Sequence, residues 1–344
     1  MNKGVARLFA AAAVSIALAP ALPALAQNRI YYVDYDSGSA DADGLSPATA
    51  WKHVPGDPES PTPFRWKQLK AGDQVRFKGG VRYRSSIGPT VNGTAEAPVI
   101  FDGSSWGPTR AIFDGSNPLN GVRPCASAAD CLGSQHWKNL WRADLPAGSE
   151  WTDYLFVNDQ VFQLAQYPSL SKLDADNTDK YLPIPKASLA QLRTGRINHL
   201  LPAGFDKGTP LLALWSQPNA ISVTRDARIS SSGVEFAGAK WQNATFSPYT
   251  DRDNAFSLMN VPDQVNRPGL FAISPKDGVA IFWPMPSGTT AVAGSSPPPA
   301  VSIGGRRYGI NTTASTYLTI RGFSFTSYAW EYGNWSTGSP IRGS

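Results

Sequence analysis

Short alternations of apolar and polar residues, rather than helical periodicity, organise this chain. Gln74-Val-Arg-Phe-Lys78 alternates strictly, which places Val75 and Phe77 on one face of a strand. Arg29-Ile-Tyr-Tyr-Val-Asp34 is a second β-rich run, dense in aromatic and branched side chains. Ala97-Pro-Val-Ile-Phe101 repeats the strand signal 24 residues after Val75, a length that suits one coil of a solenoid. Between these runs, Asp41-Ala-Asp43-Gly44 reads as an acidic loop. Ser46-Pro-Ala-Thr-Ala-Trp51 reads as a short helix with Ser46 as N-cap and Pro47 at its first position. Lys70-Ala-Gly-Asp73 reads as a turn.

Tyr31-Tyr-Val-Asp34, Asp43-Gly-Leu-Ser-Pro-Ala-Thr-Ala-Trp51, Leu69-Lys-Ala-Gly-Asp-Gln-Val75 and Gly93-Thr-Ala-Glu-Ala-Pro-Val99 follow one another in a telling order. Together they resemble the N-terminal portion of secreted right-handed parallel β-helix proteins, the group of pectate-lyase-like polysaccharide lyases and several glycoside hydrolases. The resemblance spans roughly residues 29–115. It implies a mainly β protein, a parallel solenoid under an N-terminal cap, with a sugar groove along one strand face. In lyases of the group a basic side chain removes the proton beside a uronate carboxyl while calcium or arginine offsets its charge. In the hydrolases paired carboxylates work across the glycosidic bond. Their catalytic residues sit on middle coils, so none is carried over to this chain.

Residues 145–299 break the parallel pattern. Leu155-Phe-Val157 and Val161-Phe162 flank Asn158-Asp-Gln160, and Leu270-Phe-Ala-Ile273 and Val279-Ala-Ile-Phe-Trp283 flank Asp277-Gly278, so both pairs predict hairpins. Ile221–Thr224 and Ala227–Ile229 predict a third. Lys186–Arg193, stopped by Gly195, is the clearest helix candidate. The segment therefore reads as an antiparallel β-rich insertion, after which coils resume at Val301-Ser-Ile303 and Tyr317–Phe325. Pro340-Ile-Arg342 reads as the opening of another coil, so the solenoid is expected to be truncated at its C-terminus. The expected division is 1–26 leader, 27–144 cap and first coils, 145–299 insertion, and 300–344 resumed coils.

The leader is a signal peptide in form. Lys3 and Arg7 precede the apolar run Leu8–Leu18, and Ala24-Leu-Ala26 supplies a cleavage site. The apolar run is too short to span a membrane, so a secreted or periplasmic protein with no transmembrane segment is expected. Losing Lys3 and Arg7 takes the formal charge from +5 to +3, and no basic stripe suggests nucleic acid. The two cysteines, Cys125 and Cys131, predict a local disulfide in an exported chain.

Candidate chemistry is sparse. Asp41 and Asp43 match half of a calcium loop, but the acid required at position 50 is Ala50. An Asx turn capping the next helix competes with the calcium reading, and no other cofactor is indicated. Gly103-Ser-Ser-Trp-Gly107 has the form of a nucleophile elbow, yet Pro108 and a strand follow where a helix is needed. The chain carries 11 Trp, 12 Tyr and 15 Phe, residue types that stack on sugar faces. Trp330, Tyr332 and Trp335, clustered beyond a strand, and Arg321 are the candidate substrate contacts. The leading functional reading is a monomeric polysaccharide-degrading protein, lyase or glycoside hydrolase, with a polysaccharide partner whose acidic or neutral character the residues leave open. The alternative is a non-catalytic glycan-binding or adhesin-like surface protein.

Overall fold

A computed structural model describes residues 28–149, 154–169, 181–207, 210–217, 220–224, 227–236, 248–285 and 299–328. The leader, Trp330, Tyr332, Trp335 and Pro340–Arg342 lie outside these residues. Among the described residues no helix is long and apolar enough to cross a membrane.

Strands Ile30–Val33, Gln74–Phe77, Val99–Asp102 and Leu318–Arg321 lie side by side in that order, all parallel. Arg82–Tyr83, Ala111–Asp114 and Phe323–Thr326 form a second parallel sheet with Ala111–Asp114 at its centre. Alternation decides what lies between them. Tyr31, Val33, Val75, Phe77, Val99 and Phe101 point inward and meet Tyr83, Ala111, Phe113 and Phe323 in one core. The Phe77 ring lies 5.0 to 5.9 Å from those of Phe323, Tyr83, Phe101 and Phe113. Trp51, fully buried, stacks on Tyr31 at 4.3 Å. It is delivered there by the short helical turn Pro47–Thr49, where Ser46 and Thr49 form the expected N-terminal cap.

Three strand ends here share one device. Asp102 Oδ1 accepts from the Ser104 and Ser105 amides and the Ser104 hydroxyl, at 2.9 to 3.1 Å. Asp114 Oδ1 accepts from the Ser116 amide and hydroxyl, at 2.9 and 2.7 Å. Asp34 accepts from the Asp36 and Ser37 amides. Each second oxygen faces a cation: Lys78 on Asp34 at 2.6 Å, Arg321 on Asp102 at 2.7 Å, Arg82 on Asp114 at 3.0 Å. The repeated run Phe-Asp-Gly-Ser at 101–104 and 113–116 encodes two of these turns. Its glycines are required by close approach, since a Cβ on Gly103 or Gly115 would lie 2.6 Å from Phe323 or Tyr328. A fourth buried carboxylate, Asp57, accepts from Tyr35 Oη, Ser85 Oγ at 2.6 Å and the Glu59 amide at 2.9 Å, and pairs with His53 Nδ1 at 2.8 Å. It seats the loop after Trp51 on the core.

The largest sheet has eight strands, with Ser116–Pro118 at one edge and Asn120–Pro124 at the other. Only Leu119 separates these two edge strands, so the sheet curls until it is nearly closed, like a barrel. Phe271, Ile273, Ala280, Phe282, Phe162 and Leu155 fill its inner core. The alternate residues Leu270, Ala272, Val279 and Ile281 pack outside against the Cys125–Cys131 loop. The expected disulfide is present, with Cα atoms 5.8 Å apart. A third core joins a five-stranded and a three-stranded antiparallel sheet around Leu212, Leu214, Phe256 and Leu258.

The expected parallel β-helix solenoid with an antiparallel insertion and an open, truncated end is therefore corrected. Most strand pairs in the described residues are antiparallel, and the dominant element is the nearly closed mixed sheet. Val301–Gly304, read as a resumed coil, instead pairs antiparallel with Leu155–Val157 and Ser116–Pro118. Short apolar strands between turns serve solenoids, sandwiches and barrels equally, and partner choice is made by distant contacts that periodicity does not carry. The hairpins at 155–164 and 270–282 form as expected. The third does not: Ala220–Thr224 pairs with Leu211–Gln217, and Arg228–Ser230 with Gly233–Glu235.

Candidate functional site

The outer face of the four-stranded parallel sheet carries the most chemistry. Register places Tyr32 beside Arg76, Arg76 beside Asp102, and Asp102 beside Arg321. Because Tyr31, Val33, Val75, Phe77 and Phe101 point inward, these four point outward and form one row across the strands. Trp106, in the turn after Asp102, meets the Tyr32 ring edge-on at 5.2 Å. Lys78 Nζ stands 5.9 Å from the Trp106 ring, and the Arg76 guanidinium 5.9 Å from the Tyr32 ring.

The charges of this face are committed unequally. Asp102 receives Arg321 Nε at 2.8 Å and Nη2 at 2.7 Å on one oxygen, with Gln74 Nε2 at 3.4 Å. Burial pushes its carboxyl up, but the Ser104 amide, the Arg321 guanidinium and the Ser104 hydroxyl outweigh that and hold it below the ordinary value. Asp34 behaves alike: burial raises it, while Lys78, Ser37 and the Ser37 and Asp36 amides bring it below the usual range. Both carboxylates therefore stay ionised near neutral pH and are unsuited to donate a proton. Arg76 is different. Among the described residues it forms no ion pair, and its buried Nε has no hydrogen-bond partner. The face thus offers two aromatic rings and one uncommitted guanidinium, an arrangement suited to holding a planar-faced, anionic ligand.

Of the residues singled out from sequence, Arg321 lies on this face, while Trp330, Tyr332 and Trp335 fall outside the described residues. Asp41 is exposed, and its amide donates to Ser39 Oγ. Asp43 Oδ1 accepts from the Leu45 amide at 2.9 Å and Thr49 Oγ1 at 2.7 Å, the geometry of an Asx turn feeding the helical turn. Among the described residues no three His, Cys, Asp or Glu side chains gather as a metal site. Gly103–Gly107 is a bend between strands with no helix after it. Sequence reasoning missed Tyr32, Arg76, Lys78 and Trp106. The alternation that sends Val75 and Phe77 inward also sends Arg76 outward, and that signal was available.

No family model matches the chain, and no curated protein matches it. A solved structure titled "Glycoside hydrolase" superposes with a TM-score of 0.54 at 13% identity. The match covers 88% of this chain and 51% of that one, so the chain spans about half the length of that structure. The likeness is one of fold.

Proposed function

We propose that this protein is an exported, carbohydrate-active protein that holds acidic polysaccharide on the outer face of its four-stranded parallel sheet. The observation that carries this reading is the row Tyr32, Arg76, Asp102, Arg321, with Trp106 beside it. Neighbouring strands lie ~4.8 Å apart, so the row extends ~14 Å, on the order of a trisaccharide. Aromatic rings supply stacking area, and Arg76 supplies a charge-assisted contact for a uronate carboxylate. The leader-like residues 1–26 and the disulfide support export. The fold neighbour's title supports cleavage of glycosidic bonds as the activity.

One observation favours the second reading, a non-catalytic glycan-binding protein: Asp34 and Asp102 are each clamped by a cation, which disfavours either as a proton donor. A single set of experiments separates the two. The protein is run in affinity gels containing pectin, alginate or chondroitin, with a neutral glucan as control, and the same mixtures are assayed for new reducing and unsaturated ends. Retardation with cleavage supports the enzyme, and retardation alone supports the binding protein. A folded sample that does neither on any acidic polymer overturns the proposal.

A further inference from the structure

The second parallel sheet carries a separate basic centre. Arg82 and Arg84, two residues apart, converge on one oxygen of Asp114: Arg82 Nη1 at 3.0 Å and Arg84 Nε at 3.4 Å from Oδ2. Asp114 is buried, and its other oxygen is taken by Ser116. One carboxylate therefore faces two guanidinium groups and leaves a positive charge over. Asp159 supplies the balance, with its Oδ2 2.6 Å from Arg82 Nη2.

Asp159 is a different kind of partner from Asp114. Its side chain is 63% exposed, and it sits on the two-residue turn Asn158-Asp159 of a hairpin in the eight-stranded sheet. Both turn residues have positive φ, 49° and 62°, so the carboxylate is presented from a tight turn at the tip of that hairpin. Exposed pairs of this kind are weak and readily exchanged. One buried donor here is left without a hydrogen bond among the described residues. Arg84 Nε lies 3.4 Å from Asp114 Oδ2 yet makes no hydrogen bond. A buried guanidinium nitrogen without a hydrogen bond, in a cluster balanced only by one exposed carboxylate, is what an acceptor in place of that carboxylate would complete.

We propose that Arg82 and Arg84 form an oxyanion-binding site, and that Asp159 occupies it as a built-in competitor. The ligand group is a carboxylate or a sulfate, which the paired guanidinium groups accept with charge-assisted hydrogen bonds. That this group is carried by a saccharide rests on the function proposed above; the oxyanion site itself does not. Binding exchanges the Asp159 carboxylate for the ligand's and frees the hairpin tip from the parallel sheet.

The test titrates the full chain with sodium sulfate and, separately, with sodium glucuronate, following arginine side-chain resonances. Asp159→Asn removes the competitor at an exposed tip and is expected to tighten binding roughly fivefold, the size of one exposed ion pair. Arg84→Gln is expected to abolish binding in both the parent and the Asp159→Asn chain. The two anions show which group the site prefers. Only the Arg82 side-chain resonances are scored, so anion contact at Arg76 on the other parallel sheet does not enter this readout and the two sites fail separately. Unaltered affinity in Asp159→Asn overturns the proposal, as does parent-like affinity in Arg84→Gln. Because Asp159 is exposed, the first outcome is readable even where an arginine variant folds poorly.

Discussion

Gln74–Phe77 and Leu270–Ser274 are both strands in the interior of sheets, yet they treat their two faces in opposite ways. In Gln74–Phe77 only Val75 and Phe77 are buried, and Gln74 and Arg76 reach the surface. In Leu270–Ser274 every residue is buried, because the curled sheet fills one side and the disulfide loop covers the other. The parallel region therefore has a face to spare for a ligand, and the strands at the heart of the curled sheet do not. Polar chemistry follows this division: the row from Tyr32 to Arg321 and the Arg82–Arg84 pair are both on parallel sheets, while residues 270–282 contribute packing.

The sharpest way to break this comparison is to cut the interior of the curled sheet. Phe282 is fully buried and meets Phe162 edge-on at 6.0 Å. Phe282→Ala should cost about 4 kcal/mol through lost transfer energy and the cavity left behind. Denaturant unfolding measures it, and polysaccharide retardation of the folded variant should match the parent. A cost near that of a surface substitution would show that the sheet is not packed as described.

The counterpart in the parallel region is Asp57. Asp57→Ala strands Tyr35, His53 and Ser85 without their shared acceptor, at a cost of about 3 kcal/mol. Acid provides the same test reversibly. Burial raises the Asp57 carboxyl, but His53, Ser85, Tyr35 and the Glu59 amide together hold it below the ordinary value, as their counterparts do for Asp34 and Asp102. Folded values below the unfolded value of about 3.9 mean that this stability is complete above that pH and is lost as pH falls through the folded values. Near-ultraviolet circular dichroism should be flat from neutral pH to about 4 and then decline. A decline beginning near neutrality would sink this account.

Local signals were legible in the chain and long-range ones were not. Ser46-Pro47 announces its capped turn, Asn158-Asp159 its hairpin, and Cys125 with Cys131 their bridge, because each is decided within a few residues. The partner of Val99–Asp102 is Leu318–Arg321, more than two hundred residues away, and no spacing in the chain points to it. Closure of the eight-stranded sheet is equally silent, since it depends on Ser116–Pro118 and Asn120–Pro124 taking opposite edges. The candidate face fell between these cases. Arg321 is a charge on a strand, whereas Arg76 and Tyr32 are the outward half of strand alternations, a pattern shared by every half-exposed strand.

Removing the disulfide tests whether the outer cover of the curled sheet depends on it. The ring closed by Cys125 and Cys131 is short, so Cys125→Ser with Cys131→Ser should cost about 2 kcal/mol. The loop retains a second hold, Arg123 and Arg142 on Asp130 at 2.5 and 2.7 Å. Those contacts, Arg123 foremost, keep the Asp130 carboxyl far below its usual range. Thermal unfolding with and without reductant measures the loss, which should not reach the parallel region's tryptophan signal.

The smallest change in stability carries the most information about function. Arg76→Gln removes a guanidinium that forms no ion pair among the described residues, so stability should move by no more than about 0.5 kcal/mol. Affinity for acidic polysaccharide should nevertheless fall about tenfold, the loss of one charge-assisted contact. Arg321→Gln is the control on the same row. It frees the buried Asp102 carboxylate from its cation, so it should destabilise the fold more than Arg76→Gln and change affinity through that distortion. If Arg76→Gln binds as tightly as the parent while Arg321→Gln does not, the sheet face is a structural row and the sugar lies elsewhere. If the order is reversed, the uncommitted arginine is the anchor, and the spare face of the parallel sheet is where acidic polysaccharide binds.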